Sequence, residues 1–274
     1  MTKKATVTNK TGNDGKLSVS PAQIEGFIAT VDLGVRKPEA TESVDGNDAV
    51  RYNHACDYPE NSDYGLVLEE LRPRGLIGKH ILEIGPGPGN LCLELRKAGA
   101  AHVVGADPSA EMIRYLREKF SGDISTGSMD FVQESVCKLP DRFGSSFDIV
   151  VCQNTFHQLY NPLPALEGMV RATKSGGEVH IFDFRRDIPM KLLANRIAYT
   201  KPEIWRDLAN SVCAALTTDE FKDLLEQIPG IEFSVVNATN PFTLSNRARE
   251  LIKLDPIPHN LDYLISQKVV IYKR

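Results

Sequence analysis

The residues with the clearest chemical spacing are Glu83, Gly85, Gly87, Gly89 and Asp107. They lie in ILEIGPGPGN (81–90) and in the ADP that follows at 106–108. Glycines after an apolar run let a ligand approach the backbone, because no Cβ stands in the way. A triphosphate loop needs GxxxxGK[ST] with its lysine, and no lysine lies between Gly85 and Asn90. A dinucleotide loop reads GxGxxG, with an acid about 20 residues on for the ribose. Here the pattern is GxGxG, position 90 is Asn, and Asp107 stands 22 residues past Gly85. Asp107 can take a ribose diol from either kind of nucleotide. Glu83, two residues before the first glycine, separates them. A pyrophosphate seeks donors and positive potential, and a carboxylate beside it is unfavourable. S-adenosylmethionine (SAM) carries no phosphate, and its sulfonium and α-ammonium both favour a neighbouring negative charge. The pattern therefore selects SAM, and with it methyl transfer. Pro86 and Pro88 fix φ and should preform the loop.

Methyl transfer is an in-line displacement in which positioning supplies much of the rate. A base is needed when the nucleophile is a hydroxyl or a protonated amine. His157, in NTFHQL, is the candidate, with an unperturbed pKa suited to neutral pH; the alternative is a histidine that orders its loop or lines the pocket. Tyr160, just beyond, shares its geometric claim. Asp183 is a candidate second polar group, or caps the following turn. His180 falls inside a buried-strand pattern and reads as structural. Arg185 and Arg186 could meet an acidic substrate, or form a solvated surface doublet.

Around these residues, strands alternate with helices. KHILEIG (79–85), HVVGADP (102–108), MDFVQES (129–135), SFDIVVCQN (146–154) and EVHIFDF (178–184) read as strands. NLCLELRKAGA (90–100), SAEMIRYLREKF (109–120, Ser109 as N-cap) and PLPALEGMVRATKSGG (162–177, ended by glycines) read as helices. This alternation means a mainly parallel sheet covered on both faces. Residues 185–216 are helical with no strand, Thr217 and Glu220 are spaced as a capping box, and IEFSVVNA and ISQKVVIYKR suggest a closing antiparallel pair. The expected fold is α/β: a Rossmann-like, seven-stranded, mostly parallel sheet with an antiparallel last strand.

The expected organisation is a disordered tail over 1–18, a helical substrate-wall segment over 19–75, a SAM-binding domain over 76–184 and 217–274, and a helical lid over 185–216. Ser20 and Pro21 mark a helix start within the wall segment, and a further helix is expected over roughly 62–72.

Formal net charge is −4, which disfavours a nucleic-acid partner. No run of about 18 apolar residues offers a membrane span. The amino-terminal stretch has no apolar core for a secretory signal. Five scattered cysteines fit a reducing cytosol, so a cytoplasmic location is expected. No CxxC, HxxxH or HExxH occurs, and no metal is expected.

Five segments resemble the motifs of class I SAM-dependent methyltransferases, in order and spacing. LEIGPGPGN (82–90) resembles the first. ADPSAEM (106–112) resembles the D-x-S-x-x-M motif of the small-molecule branch that includes the ubiquinone/menaquinone-biosynthesis type. FVQESVCKLP (131–140), FDIVVCQNTFHQL (147–159) and SGGEVHIFDF (175–184) resemble the next three. The resemblance covers roughly residues 60–184 and the final strands.

It implies that Gly85, Gly87 and Gly89 lie against the methionine part and ribose, with Glu83 near the amino group. It implies that Asp107 takes both ribose hydroxyls, Pro108 and Met112 flank the adenine, and Val136 supplies a backbone contact to the ring. Ser135 stands where the family often has an aspartate for the adenine amino group, and can accept there without charge. Gln153 would contact the methionine portion, and Tyr52, Tyr58 and Trp205 are candidate pocket aromatics that could equally pack the small helices.

The sequence thus reads as a SAM-dependent methyltransferase, with S-adenosylhomocysteine (SAH) as its product. It would act on a small molecule, at oxygen before nitrogen, carbon or sulfur, and as a monomer or homodimer. The rivals are an RNA or protein methyltransferase, which lacks its [ND]PP[YF] signature here, and a non-catalytic partner of the same fold. An NAD-dependent oxidoreductase is disfavoured by Glu83 and Asn90.

Overall fold

The computed structural model describes residues 19–38, 64–198, 202–237 and 266–274. Strands β1 (His80–Ile84), β2 (His102–Asp107), β3 (Met129–Gln133), β4 (Phe147–Gln153), β5 (Thr173–Phe184), β6 (Ile231–Asn237) and β7 (Ser266–Lys273) form one sheet. Its order is β3-β2-β1-β4-β5-β7-β6. The first five strands run parallel, and β7 is antiparallel to both β5 and β6. This is the mostly parallel, seven-stranded sheet that the alternation implied. β1 and β4 are near-continuous apolar runs because helices cover both faces of the sheet.

Helices α1 (Pro21–Ile28), α2 (Tyr64–Leu71), α3 (Asn90–Lys97), α4 (Ala110–Lys119), α5 (Ser121–Ser125) and α6 (Leu139–Phe143) precede α7 (Pro162–Ala172). After β5 come α8 (Met190–Ala198), α9 (Trp205–Ala214) and α10 (Thr218–Leu225). Local signals set several starts. Ser20 caps α1 in a reciprocal box with Gln23, Ser109 accepts the Met112 amide at the start of α4, and Thr217 with Glu220 boxes α10.

Three apolar clusters result. One face of the sheet packs α2, α3 and α4, through Val67, Leu71, Leu91, Leu95 and Leu116. The other packs α7 and α10 through Leu166, Met169, Phe221 and Leu225. A third, smaller core joins α1 to the insertion after β5, with Phe27 and Ile24 against Leu193, Ile197, Trp205 and Val212. The two described parts of the 19–75 stretch therefore pack differently, 19–33 on the insertion and α2 on the sheet.

One boundary differs from the sequence reading. The helix expected to run to Gly177 ends at Ala172, and β5 starts at Thr173. Thr173 turns its hydroxyl to the Met169 carbonyl and its backbone pairs with Phe147, ahead of a register shift. A Cβ on Gly177 would stand 2.8 Å from the Asp148 carbonyl oxygen. Gly177 serves this close strand approach, Gly176 takes a positive φ of +75° in open space, and neither stops the helix.

Candidate cofactor and acceptor site

The carboxyl ends of β1 to β4 surround a cleft that is open to solvent at its mouth. It is lined by Gly85 and Gly87 after β1, by Asp107, Pro108 and Met112 at the end of β2, and by Glu134, Ser135 and Val136 after β3. Thr155, Gln158 and Leu159 close it from the turn after β4. The first four motif segments, far apart in the chain, thus converge on one concavity.

The glycine loop is shaped by its neighbours. Gly85 has φ +63°, and a Cβ there would lie 2.2 Å from Cγ2 of Thr155, whose hydroxyl donates to the Gly85 carbonyl. Gly89 has φ +80° and begins α3, where a Cβ would strike Phe120. Both positions require glycine for conformation and for space. From outside, the Lys119 ammonium holds the Pro88 carbonyl at 2.9 Å.

Two carboxylates stand at different depths. Asp107 accepts the Ser109 amide at 2.8 Å, and burial pushes its pKa up to about 6 against that bond. Glu83 is buried outright behind the glycine loop, and desolvation raises its pKa to about 8. The Cys92 thiol donates to its Oε2 at 2.8 Å and offsets part of that cost. The Cys92 thiol itself is pushed well above its ordinary pKa by burial and by Glu83, so it is an unreactive donor.

On the β4–β5 side, Asp183 grips His157. Its Oδ1 lies 2.7 Å from the ring Nδ1, and its Oδ2 accepts the His157 backbone amide at 2.5 Å. Both side chains are buried, and the imidazole leans on Phe184 with ring centroids 5.3 Å apart. A carboxylate at Nδ1 fixes the tautomer in which Nε2 is the basic nitrogen.

The remaining sequence candidates are placed as follows. Gln153 ends β4, half-buried and outside the residues lining the cleft. Tyr160 is 61% exposed. Trp205 is buried against Phe27, ring centroids 5.3 Å apart, within the core shared by α1 and the insertion. Tyr52 and Tyr58 lie outside the described residues. Arg185 and Arg186 are both buried, not solvated.

The sequence reading missed several residues. Glu134 brings a third carboxylate to the cleft, one position before Ser135, and its Oε1 accepts the Ser135 amide at 3.1 Å. An acid directly after an apolar strand was the available signal. Gly168, in the middle of α7, lets the helix backbone approach the Val136 turn; a Cβ would lie 2.5 Å from the Val136 carbonyl oxygen. A glycine inside a helix costs about 1 kcal/mol relative to alanine, which is itself a hint of close packing. Arg36 binds the Leu159 carbonyl at 2.9 Å, the His157 carbonyl at 3.4 Å and the Ala214 carbonyl at 2.7 Å. One guanidinium thus ties the amino-terminal segment and the end of α9 to the wall of the cleft.

Residues 82–181 match the family model described as "Methyltransferase domain". Over this segment the chain is similar to methyltransferase domains. Among curated relatives, a ubiquinone biosynthesis O-methyltransferase of Erwinia tasmaniensis is 31% identical over 120 residues, 44% of this chain and 48% of the relative. The alignment thus spans about half of that protein's length. One of the same description from Vibrio cholerae is 24% identical over 179 residues, 61% of this chain and 71% of the relative. Among solved structures, the plantazolicin methyltransferase BamL, in complex with a triazolic desmethylPZN analog and SAH, superposes with a TM-score of 0.59 at 18% identity, covering 82% of this chain and 89% of that one. A SAM-dependent methyltransferase from Aquifex aeolicus gives 0.53 at 22% identity, covering 83% and 98%. The chain shares the fold of the class I SAM-dependent methyltransferases. No described helix is long and apolar enough to cross a membrane, and no metal-binding cluster of His, Cys, Asp and Glu occurs among the described residues.

Proposed function

We propose that this chain binds SAM in the cleft at the ends of β1 to β4 and transfers its methyl group to a small-molecule acceptor on the β4–β5 side. The observation that carries this reading is the convergence of the glycine loop, the Asp107 carboxylate and the Met112–Val136 walls in one cleft. The residues present fit the cofactor. Gly85 and Gly87 bring bare backbone to the wall of the cleft, with Thr155 packed against Gly85 on its other side. Asp107 presents a carboxylate to a ribose diol, and Pro108, Met112 and Val136 offer apolar surface to an adenine. Ser135 and the Glu134 carboxylate, both lining the cleft, are proposed to recognise the amino group of that ring, with Glu134 taking the part of the missing aspartate. Glu83 is a buried carboxyl, protonated in the ligand-free chain, that the cationic amino-acid part would favour in its ionised form. The curated relatives are O-methyltransferases by name, which supports oxygen as the acceptor atom ahead of nitrogen, carbon or sulfur.

When bound, SAM supplies an electrophilic methyl group. The chain's own part is to orient the donor, exclude water and hold a proton acceptor near the nucleophile. His157 is proposed for the last role. Asp183 orients it and would stabilise the imidazolium formed when Nε2 takes a hydroxyl proton. Tyr160 and Gln153 are proposed to border the acceptor and the methionine part.

The test is calorimetric titration of the full chain with SAH, followed by a screen of small hydroxylated and amino compounds with methyl-labelled SAM. SAH binding and label transfer to a small molecule are the expected results. Absence of SAH binding at millimolar concentration would overturn the reading.

A further inference from the structure

Arg185 and Arg186 begin the insertion together, and their surroundings differ. Arg186 has its donors filled: Nη1 reaches the carbonyls of Leu33 and Gly34, Nε reaches the Ala215 carbonyl at 3.2 Å, and Nη2 pairs with Glu220. It is a structural rivet between the amino-terminal segment and the end of the insertion.

Arg185 is buried to the same degree, with 3% of its surface exposed, yet its contacts are at the limit of bonding. Nη2 lies 3.5 Å from the Asp187 carbonyl oxygen, and Nη1 lies 3.9 Å from the Asp187 carboxylate. Among the described residues its Nε has no hydrogen-bond partner. Burial pushes the guanidinium pKa down, with Asp187 the opposing influence. A buried cation with unfilled donors is costly, because desolvation is not repaid by bonds. Chains rarely keep such a group without a use for it.

The place in the fold suggests the use. Ligands of doubly wound sheets sit beyond the carboxyl ends of the strands. In the order β3-β2-β1-β4-β5, the ends of the first four line the cofactor cleft, and β5 is next in line. Asp183, the anchor of His157, is two residues before Arg185 on that same strand end. Arg185 thus follows directly on the acceptor side of the site, where the insertion begins.

We infer that Arg185, with its Nε unpartnered and its Nη atoms only loosely held by Asp187, binds an anionic group, a carboxylate, carried by the methyl acceptor. This rests on the proposed function and deepens it: the acceptor is a small hydroxylated acid. A planar guanidinium out of water suits a carboxylate with two parallel bonds. The same chemistry is offered by the methionine carboxylate of the cofactor, but the cofactor cleft lies at the ends of β1 to β4 and does not include Arg185.

The experiment compares matched acids and amides, namely hydroxybenzoate with hydroxybenzamide and hydroxyphenylacetate with its amide. Each binds the full chain with and without SAH, measured by calorimetry, and is then offered as acceptor with methyl-labelled SAM. In the wild type at least one acid should bind about tenfold better than its amide, roughly 1.4 kcal/mol. Arg185→Gln should bring each pair to within about twofold, a residual under about 0.5 kcal/mol, and leave SAH affinity unchanged. Arg185→Lys, which keeps the cation for the case in which the neutral variant does not fold, should retain a reduced preference for the acid. The inference is overturned if no acid binds in the millimolar range, if amides bind as well as acids, or if the preference survives in Arg185→Gln. Loss of SAH affinity in Arg185→Gln would assign the fork to the cofactor and overturn it too. A wild type that binds the acids but not SAH, with the preference lost in Arg185→Gln, would defeat the proposed function and leave Arg185 a carboxylate site but not one for a methyl acceptor.

Discussion

Asp183 holds His157 at two points, accepting the ring Nδ1 on Oδ1 at 2.7 Å and the backbone amide on Oδ2 at 2.5 Å. One carboxylate therefore fixes both the imidazole tautomer and the turn that carries it. That turn continues into Gln158 and Leu159, which line the cofactor cleft. The imidazole proposed as proton acceptor and the wall of the cleft are thus set by one buried group.

Asp183→Asn tests this directly. The amide is close in size but does not enforce the Nδ1-protonated tautomer. We expect kcat to fall on the order of 10²-fold, the low end for a general base, with SAH affinity within about threefold of wild type. An unchanged kcat in single-turnover assays would make His157 a wall residue and remove it from the chemistry.

Asp107→Ala should weaken SAH binding at least tenfold, roughly 1.4 kcal/mol, because a buried acceptor for two hydroxyls is lost. The carboxylate's pKa is about 6 in the ligand-free chain. A ribose diol donates to the ionised form, so wild-type affinity should decline as pH falls through that value. In Asp107→Asn the decline attributable to this group should vanish. Calorimetry between pH 5 and pH 8 reads both, and equal affinity of wild type and Asp107→Ala would displace the ribose from this position.

The parts of this site that the sequence disclosed are those encoded by neighbours in the chain. β1 and β2 are apolar runs ended by a glycine and an acid, and Glu83, Gly85 and Asp107 stand at fixed offsets from those ends. The missed parts depend on distant backbone. Arg36 finds its acceptors on carbonyls 121, 123 and 178 residues away, and a carbonyl leaves no mark on residue type. Burial of Arg185 and Arg186 was hidden for the same reason, since a doublet of arginines ordinarily marks solvent. The end of α7 was misplaced because glycine has two uses. It stops helices, and at Gly177 it lets two strands come together.

Glu83 predicts an unusual stability profile. Its pKa is raised from an ordinary 4.5 to about 8 by burial, so between those values the folded chain holds a proton that the unfolded chain has lost. Stability from this group is complete below about pH 4.5 and is lost as pH rises through about 8. The ligand-free protein should therefore show a falling contribution to Tm across that window. Glu83→Gln should flatten that contribution. SAH, whose ammonium favours the ionised carboxylate, should stabilise the protein more at pH 8 than at pH 6 and release a proton at the lower pH. Thermal melts and calorimetry in two buffers of different ionisation enthalpy measure these. A wild-type slope identical to that of Glu83→Gln would show that the proton is not held there.

Arg36 predicts coupling between the insertion and the cleft. Its guanidinium joins the Ala214 carbonyl, at the end of α9, to the His157 and Leu159 carbonyls. A neighbouring backbone bond, from the Lys37 amide to the Cys213 carbonyl at 3.0 Å, holds the same segment to the same helix. Coupling of this kind needs a physical link that both sites bias, and here the link is one forked cation. In the wild type, SAH should slow amide exchange over residues 155–159 and over α9 together. In Arg36→Gln, SAH should still protect the glycine loop, but protection of α9 should fall at least about fivefold, the low end of ordinary coupling energies. Arg36→Lys, with one point charge in place of a fork, should lie between the two. Full protection of α9 in Arg36→Gln would mean that the insertion and the cleft respond to the cofactor through other contacts, and that Arg36 only packs between them.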